Sequence, residues 1–213
     1  MKSELKIEKV SKAFPGVQAL DKVNLNLNGG SVHALLGENG AGKSTLIKII
    51  TGVYLADSGT LKVGEEIKSF ANPIESTNSG IAVVHQERNL IPEFSVEENI
   101  TFHNPPLRFG MIRRSERTRL AKQALNTLGF EIDLNERVKN LSVAQMQLVE
   151  IAKALVTNAK IILLDEPTAS ITGGETTKLF EVVKRLKANG TAVLFVSHKL
   201  EEVYEICDTV TVL

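Results

Sequence analysis

Between the apolar run Val32–Leu36 and an amphipathic run over residues 45–50 lies the octapeptide Gly37-Glu38-Asn39-Gly40-Ala41-Gly42-Lys43-Ser44. Its glycines and its flanks restrict this part of the chain to a short buried strand that passes through a tight loop straight into a helix ending near Gly52. Gly40 and Gly42 let backbone N–H groups close around phosphate oxygens, where a Cβ would intrude. Lys43 supplies a point charge for β- and γ-phosphates, and Ser44 offers a hydroxyl able to ligate Mg²⁺. The helix that continues through Thr45 adds the positive end of its dipole. These are the requirements of a nucleotide-phosphate site.

At 213 residues the chain can bury a full core as one domain. Lys plus Arg and Asp plus Glu both number 25, so the net charge is zero and nothing resembles a nucleic-acid track. The densest basic stretch, Arg113, Arg114, Arg117 and Arg119, is interrupted by Glu116 on a helical pattern and reads as a solvated face. Cys207 is the only cysteine, which excludes an internal disulfide and reads as a small buried apolar residue. With no signal-like start, the chain reads as cytosolic. Apolar runs such as 161–164 and Ala192–Val196 are far shorter than the roughly 20 residues of a membrane helix. Work at a membrane would therefore need another polypeptide to span it.

Residues 5–10, 23–27 and Val32–Leu36, with a hairpin over 61–67, give a strand-rich first third. From about Glu93 to Ala159 the character turns helical. Ser95 and Glu98 form a capping-box pattern there, and Ser115 precedes a helix carrying Leu120, Ala124 and Leu128. Strand patterns return at 161–164, Ala192–Val196 and 209–213, with a helix at about 174–189. The expectation is an α/β fold with a helix-flanked, largely parallel core. It forms a single domain over 1–213, in which 1–92 and 160–213 make the core and a β subdomain and 93–159 an inserted helical subdomain. The chain stops within a strand pattern, so it reads as a piece of a longer one.

Ile161-Ile162-Leu163-Leu164-Asp165-Glu166 places two carboxylates at the end of a buried strand. Asp165 can hold Mg²⁺, and Glu166 is then free to polarise a water attacking the γ-phosphate, a role worth roughly 10²- to 10⁴-fold. Gln86 follows the strand pattern Ile81–Val84, and His198 follows Ala192–Val196 and Ser197. Strand ends of an α/β sheet line its ligand crevice. Gln86 can there reach the metal or the water, and His198 the γ-phosphate. Leu141-Ser142-Val143-Ala144-Gln145 opens a helix through Leu155, with Ser142 and Gln145 matching a capping box. Such a helix start is itself an anion site and could face a phosphate on another subunit.

Taken together, these residues make the chain resemble the ATP-binding subunit of an ABC transporter over almost its whole length. Residues 37–44 look like the Walker A motif, Gln86 the Q-loop, and 141–145 the signature. Residues 161–166 look like Walker B with its glutamate, 167–172 the D-loop region, and His198 the switch histidine. The resemblance implies the ABC ATPase fold, a RecA-like P-loop core with an antiparallel β subdomain and an inserted α-helical one. It implies hydrolysis of ATP with Mg²⁺, bound by Ser44, Gln86 and Asp165, and assigns Phe14 to stacking on adenine with Val17 nearby. In this family two nucleotide domains sandwich ATP head to tail, so Ser142, Val143, Ala144 and Gln145 would act in trans. Here Val143 and Ala144 stand where a glycine pair is usual, and Thr172 where the D-loop usually has Asp. An intact cis site with a weaker lid is expected.

The phrases Phe14-Pro15-Gly16-Val17-Gln18-Ala19-Leu20, Val84-His85-Gln86-Glu87 and the run 147–155 look like the first half of the fused tandem ATPases serving simple-sugar importers. In these the second half has a weakened Walker A and an ordinary signature. The implied partners are a second nucleotide domain, a membrane permease contacted around 88–119, and indirectly an external sugar-binding protein. The implied place is peripheral, on the cytoplasmic side of the membrane. Ile91, Pro92, Phe94 and Phe102 are either the docking groove or subdomain core. The competing readings are a soluble ABC ATPase acting on ribosomes or nucleic acid, an ABC ATPase for a non-sugar substrate, and a purely regulatory domain. The first would more often carry coiled coils or basic arms, and the last would lack Lys43 or Glu166.

Overall fold

The computed structural model describes residues 3–85 and 89–213. In chain order the elements begin with β1 (Ser3–Phe14), β2 (Val17–Asn28), β3 (Val32–Leu36), α1 (Lys43–Ile50), β4 (Ser58–Val63), β5 (Glu66–Lys68), α2 (Pro73–Asn78) and β6 (Ile81–Val84). There follow α3 (Val96–Thr101), β7 (Leu107–Arg108), β8 (Met111–Ile112), α4 (Arg114–Leu128), α5 (Val143–Val156), β9 (Ile161–Asp165), α6 (Gly173–Ala188), β10 (Ala192–Val196), α7 (Leu200–Ile206) and β11 (Thr209–Val212).

β11, β3, β10, β9 and β6 lie side by side in that order as a parallel sheet. An antiparallel sheet of β2, β1, β4 and β5 accompanies it. The central strands are continuous apolar runs because both of their faces are covered. Successive side chains alternate between faces. Ile162, Leu164, Val193 and Phe195 join one buried cluster with α3 to α6, and Ile161, Leu163, Leu194 and Val196 join another with α1 and the antiparallel sheet. Phe180 of α6 meets Phe195 edge-on, with ring centroids 6.1 Å apart. The apolar cluster under α3, α4 and α5 is continuous with the one on the sheet face. This arrangement is the expected ABC cassette fold, an α/β fold with a parallel core sheet and an antiparallel β subdomain.

Several local expectations need correction. Ser115 does not precede α4 but lies inside it, and Arg113 at the helix start makes no side-chain cap. Arg117 is not on a solvated face. Its guanidinium bonds the buried Glu97 at 2.8 and 2.9 Å, tying α4 to α3, whereas Arg113, Arg114 and Arg119 are exposed. Cys207 is only partly buried, although its surroundings push its thiol pKa up to about 12, chiefly through desolvation. Pro92, Phe94 and Phe102 are exposed and Ile91 is half-buried, so these residues are not core. The sequence reading also lacked α2, α7 and the β7–β8 hairpin, whose short lengths leave too little periodicity to detect.

Candidate functional site

β3 brings the chain from the core to the glycine loop, where Glu38, Asn39 and Gly40 are exposed. Gly42 precedes α1 with φ at 101°, and a Cβ there would lie 2.3 Å from the Ala19 carbonyl oxygen and 2.8 Å from Leu20 Cδ2. β2 thus crosses so close beneath the loop that only glycine fits. Gly40 differs: φ is 89° and the space beyond it is open, as a phosphate-facing backbone needs. No side chain caps α1, which leaves its first-turn N–H groups to an anion. Lys43 is buried, and its Nζ donates to the carbonyls of Gly37 at 2.7 Å and Glu38 at 3.0 Å. The ammonium is thereby folded over the loop that would receive the phosphates. Ser44 is exposed beside it and Thr45 half-buried.

Asp165 ends β9 in register with Val196 of β10. Burial raises its carboxyl pKa above the usual carboxylate range, and the Glu166 charge adds to this, while His85 and Lys43 oppose it. Lys43, which opens α1, and Asp165, which ends β9, therefore share one electrostatic site. Glu166 adopts φ 46°, in the left-handed region, and its N–H donates to the Val196 carbonyl at 3.1 Å. That backbone geometry turns its mostly buried side chain toward His198, whose Nδ1 lies 3.3 Å from Glu166 Oε1. The His198 loop is fixed from below. Ser197 Oγ donates to the buried Glu202 at 2.8 Å and accepts from the Lys199 N–H at 3.0 Å. Sequence reasoning missed Ser197, Glu202 and His85. The only signal for the pair was a serine and a carboxylate five residues apart across a helix start.

Phe14 and Val17 flank the β1–β2 turn. Phe14 is half-buried, edge-on to Tyr54 with centroids 5.4 Å apart and with Lys12 Nζ 5.6 Å from its ring, and Val17 is exposed. Read from sequence alone Phe14 would belong in the core. Instead it stands at the surface. Gln86 lies outside the described residues. Ser142 and Gln145 form the expected capping box: Ser142 Oγ accepts from the Gln145 N–H at 3.3 Å, and Gln145 Oε1 accepts from the Ser142 N–H at 2.9 Å. Val143 and Ala144 are the first two residues of α5. Ser142, Ala144 and Gln145 line a cavity of about 390 Å³ with Phe130, Ile171 and Glu175, and no residue of the glycine loop or of the Asp165, Glu166, His198 group reaches it. The N–H and hydroxyl of Thr172 both donate to Glu175 at 2.9 Å, which engages this side chain with its own helix.

The glycine loop, the carboxylate pair and the histidine thus follow the carboxyl ends of three adjacent strands of the parallel sheet, and none of them lines the cavity at the capped start of α5. The profile of the ABC transporter family matches residues 20–169. The chain belongs to the ABC transporter family. Among relatives of this ABC transporter domain, a putative ribose/galactose/methyl galactoside import ATP-binding protein of Agrobacterium fabrum is 49% identical over 98% of the chain. An arabinose import ATP-binding protein of Pseudomonas syringae is 47% identical over 98%. The chain spans 41% of the length of each. A dimeric ATP-binding cassette solved in a post-hydrolysis state with ADP and phosphate superposes with a TM-score of 0.80 at 28% identity, covering 98% of this chain and 94% of that one.

Proposed function

We propose that this chain is the ATP-binding and hydrolysing domain that powers import of a simple sugar through a separate membrane permease. The observation that carries the hydrolytic reading is the 3.3 Å contact of Glu166 Oε1 with His198 Nδ1 beside Asp165, on the strand ends that flank the phosphate loop. The N–H groups of residues 38–45 and the Lys43 ammonium hold the phosphate oxygens, while Phe14 and Val17 offer an apolar seat for the base. Glu166 takes a proton from the attacking water, and His198 orients Glu166 and donates toward the γ-phosphate. Mg²⁺ suits the donors present. Ser44 and Asp165 offer one hydroxyl and one carboxylate, and this ion binds through few protein oxygens and keeps water and phosphate for the rest. Gln86 is assigned to the same ion or to the attacking water. When bound, Mg²⁺ neutralises charge on the phosphates.

The ATP sandwich is the reading that best suits a capped α5 start whose cavity none of the cis residues lines. Ser142, Val143, Ala144 and Gln145 then serve the phosphate of a second nucleotide domain, and that domain's signature serves residues 37–44. The identity to sugar import proteins supports sugar as the cargo. Among the described residues no helix is long and apolar enough to cross a membrane, in keeping with a peripheral subunit on the cytoplasmic face. We assign permease docking to the segment 88–119, which runs from the core of 1–92 and 160–213 into a helical subdomain of 93–159 that moves against it. Exposed Phe94, Phe102, Phe109 and Met111 there form apolar surface of the kind that partners cover.

The test is Glu166→Gln. Removing the base while keeping the side chain's size should leave MgATP affinity within about twofold and lower turnover at least about 10²-fold. Turnover equal to wild type would remove the assignment of Glu166 as base.

A further inference from the structure

α5 joins two places that matter to the proposed site. Its N-terminus carries Ser142, and along its length Gln147, Glu150 and Lys153 recur at three-residue steps. All three are more than nine-tenths buried, among neighbours on the same helix that are otherwise apolar: Leu148, Val149, Ile151, Ala152 and Ala154. Burying an ammonium and two further polar side chains is unfavourable unless each finds partners. Here partnering is incomplete. Lys153 Nζ donates to the Asn89 carbonyl at 2.9 Å and lies 3.8 Å from Glu150 Oε2, and among the described residues Gln147 Nε2 and Glu150 Oε1 have no hydrogen-bond partner. Packing alone would favour apolar residues at these positions, so the seam is explained by what it holds. What it holds is backbone three residues beyond Gln86.

We propose that Lys153 is a positioning residue, whose ammonium grips the Asn89 carbonyl and so fixes the chain at Asn89, three residues along from Gln86, to the helix that begins at Ser142. Lysine suits the task. It stands in the last turn of α5, where the negative end of the helix dipole favours a cation, and a point charge on a flexible stem keeps its grip as a carbonyl shifts. Its charge is felt nearby, since His103 is held below the usual imidazole range by burial and, second, by Lys153. The inference rests on Gln86 belonging to the hydrolytic site.

The experiment is a double-mutant cycle on the chain, comparing MgATP turnover of wild type, Lys153→Met, Gln86→Ala and the double variant, with thermal unfolding and MgATP affinity measured alongside. Methionine keeps the packing and removes the buried charge. Lys153→Met is expected to unfold at or above the wild-type temperature, to bind MgATP within about twofold, and to turn over about tenfold more slowly. The double variant should be no slower than Gln86→Ala, because residues that act as one unit are non-additive. Turnover of Lys153→Met within about twofold of wild type, or losses that multiply in the double variant, would overturn the proposal. So would a stability and affinity loss matching the loss of turnover. If Lys153→Met does not fold, Lys153→Gln takes its place under the same criteria. A wild-type chain that hydrolyses nothing fails the proposed function itself. Lys153 is then judged by amide exchange at Asn89 and Leu90, which Lys153→Met must speed by about tenfold and which, if unchanged, overturns the claim.

Discussion

Glu166 occupies a backbone conformation that costs a non-glycine residue about 1–2 kcal/mol, and it does so between a buried strand end and a histidine. The strain is held by its N–H bond to Val196 and directs a carboxylate that would otherwise point into solvent. Asp165 next to it carries a different burden. Its carboxyl pKa is raised by burial, so the folded state binds this proton more tightly than the unfolded chain. That contribution to stability is present below the unfolded carboxyl pKa and is lost as pH rises through the folded value. The charged form of Asp165 is therefore a burden on the fold, which His85 and Lys43 offset in part and a bound cation would offset further. Asp165→Asn, neutral at every pH, should raise the unfolding temperature of the nucleotide-free chain at pH 7 and much less at pH 4, while abolishing Mg²⁺-dependent turnover. Thermal unfolding at the two pH values checks this; an equal effect at both would contradict it. Lys43 and Ser44 were legible from the glycine loop that precedes them, and Asp165, Glu166 and His198 because each ends or closely follows an apolar run. The αL backbone of Glu166 was not, since nothing in the residues around it demands a positive φ.

Among the elements, α5 is the one whose sequence and structure disagree most usefully with the family pattern. Its capping box was readable from Ser142 and Gln145, and the structure forms both bonds. The N–H groups of Val143 and Ala144 are first-turn donors without a helical partner, available to an anion. Their Cβ atoms occupy the space that the usual glycine pair leaves free. Restoring glycine at both positions, in a Glu166→Gln background to stop turnover, should strengthen MgATP-dependent self-association despite a cost of up to about 1 kcal/mol per glycine in helix propensity. Sedimentation velocity with and without MgATP reads the result, and an unchanged sedimentation coefficient would argue against the weakened lid. By contrast, the polar seam of α5 escaped the sequence reading. Gln147, Glu150 and Lys153 look like an ordinary solvated stripe until the structure buries them. Arg117 misled in the same way, because a charge on a helical pattern does not reveal that a buried Glu97 waits on the neighbouring helix.

For the whole molecule, the class of fold followed from one strand-loop-helix unit and from apolar runs too short for anything but buried strands. The strand order β11-β3-β10-β9-β6 did not, because pairing in a parallel sheet joins residues as distant as His33 and Thr209 and leaves no local trace. That order is nonetheless what makes the site. It sets β10 between β3 and β9, so the phosphate loop, Asp165, Glu166 and His198 emerge at the carboxyl ends of three adjacent strands. The helices of α3 to α5 cover one face of the sheet and share its apolar cluster, which provides a continuous packed route between Ser142 and the sheet. These strand ends are proposed as an intact MgATP site belonging to the chain itself. Calorimetric titration of MgATP into the chain and into Lys43→Ala tests it most directly. One saturable site is expected in the wild type, weakened at least about tenfold without the Lys43 ammonium; no binding by the wild type, or equal binding by Lys43→Ala, would contradict it.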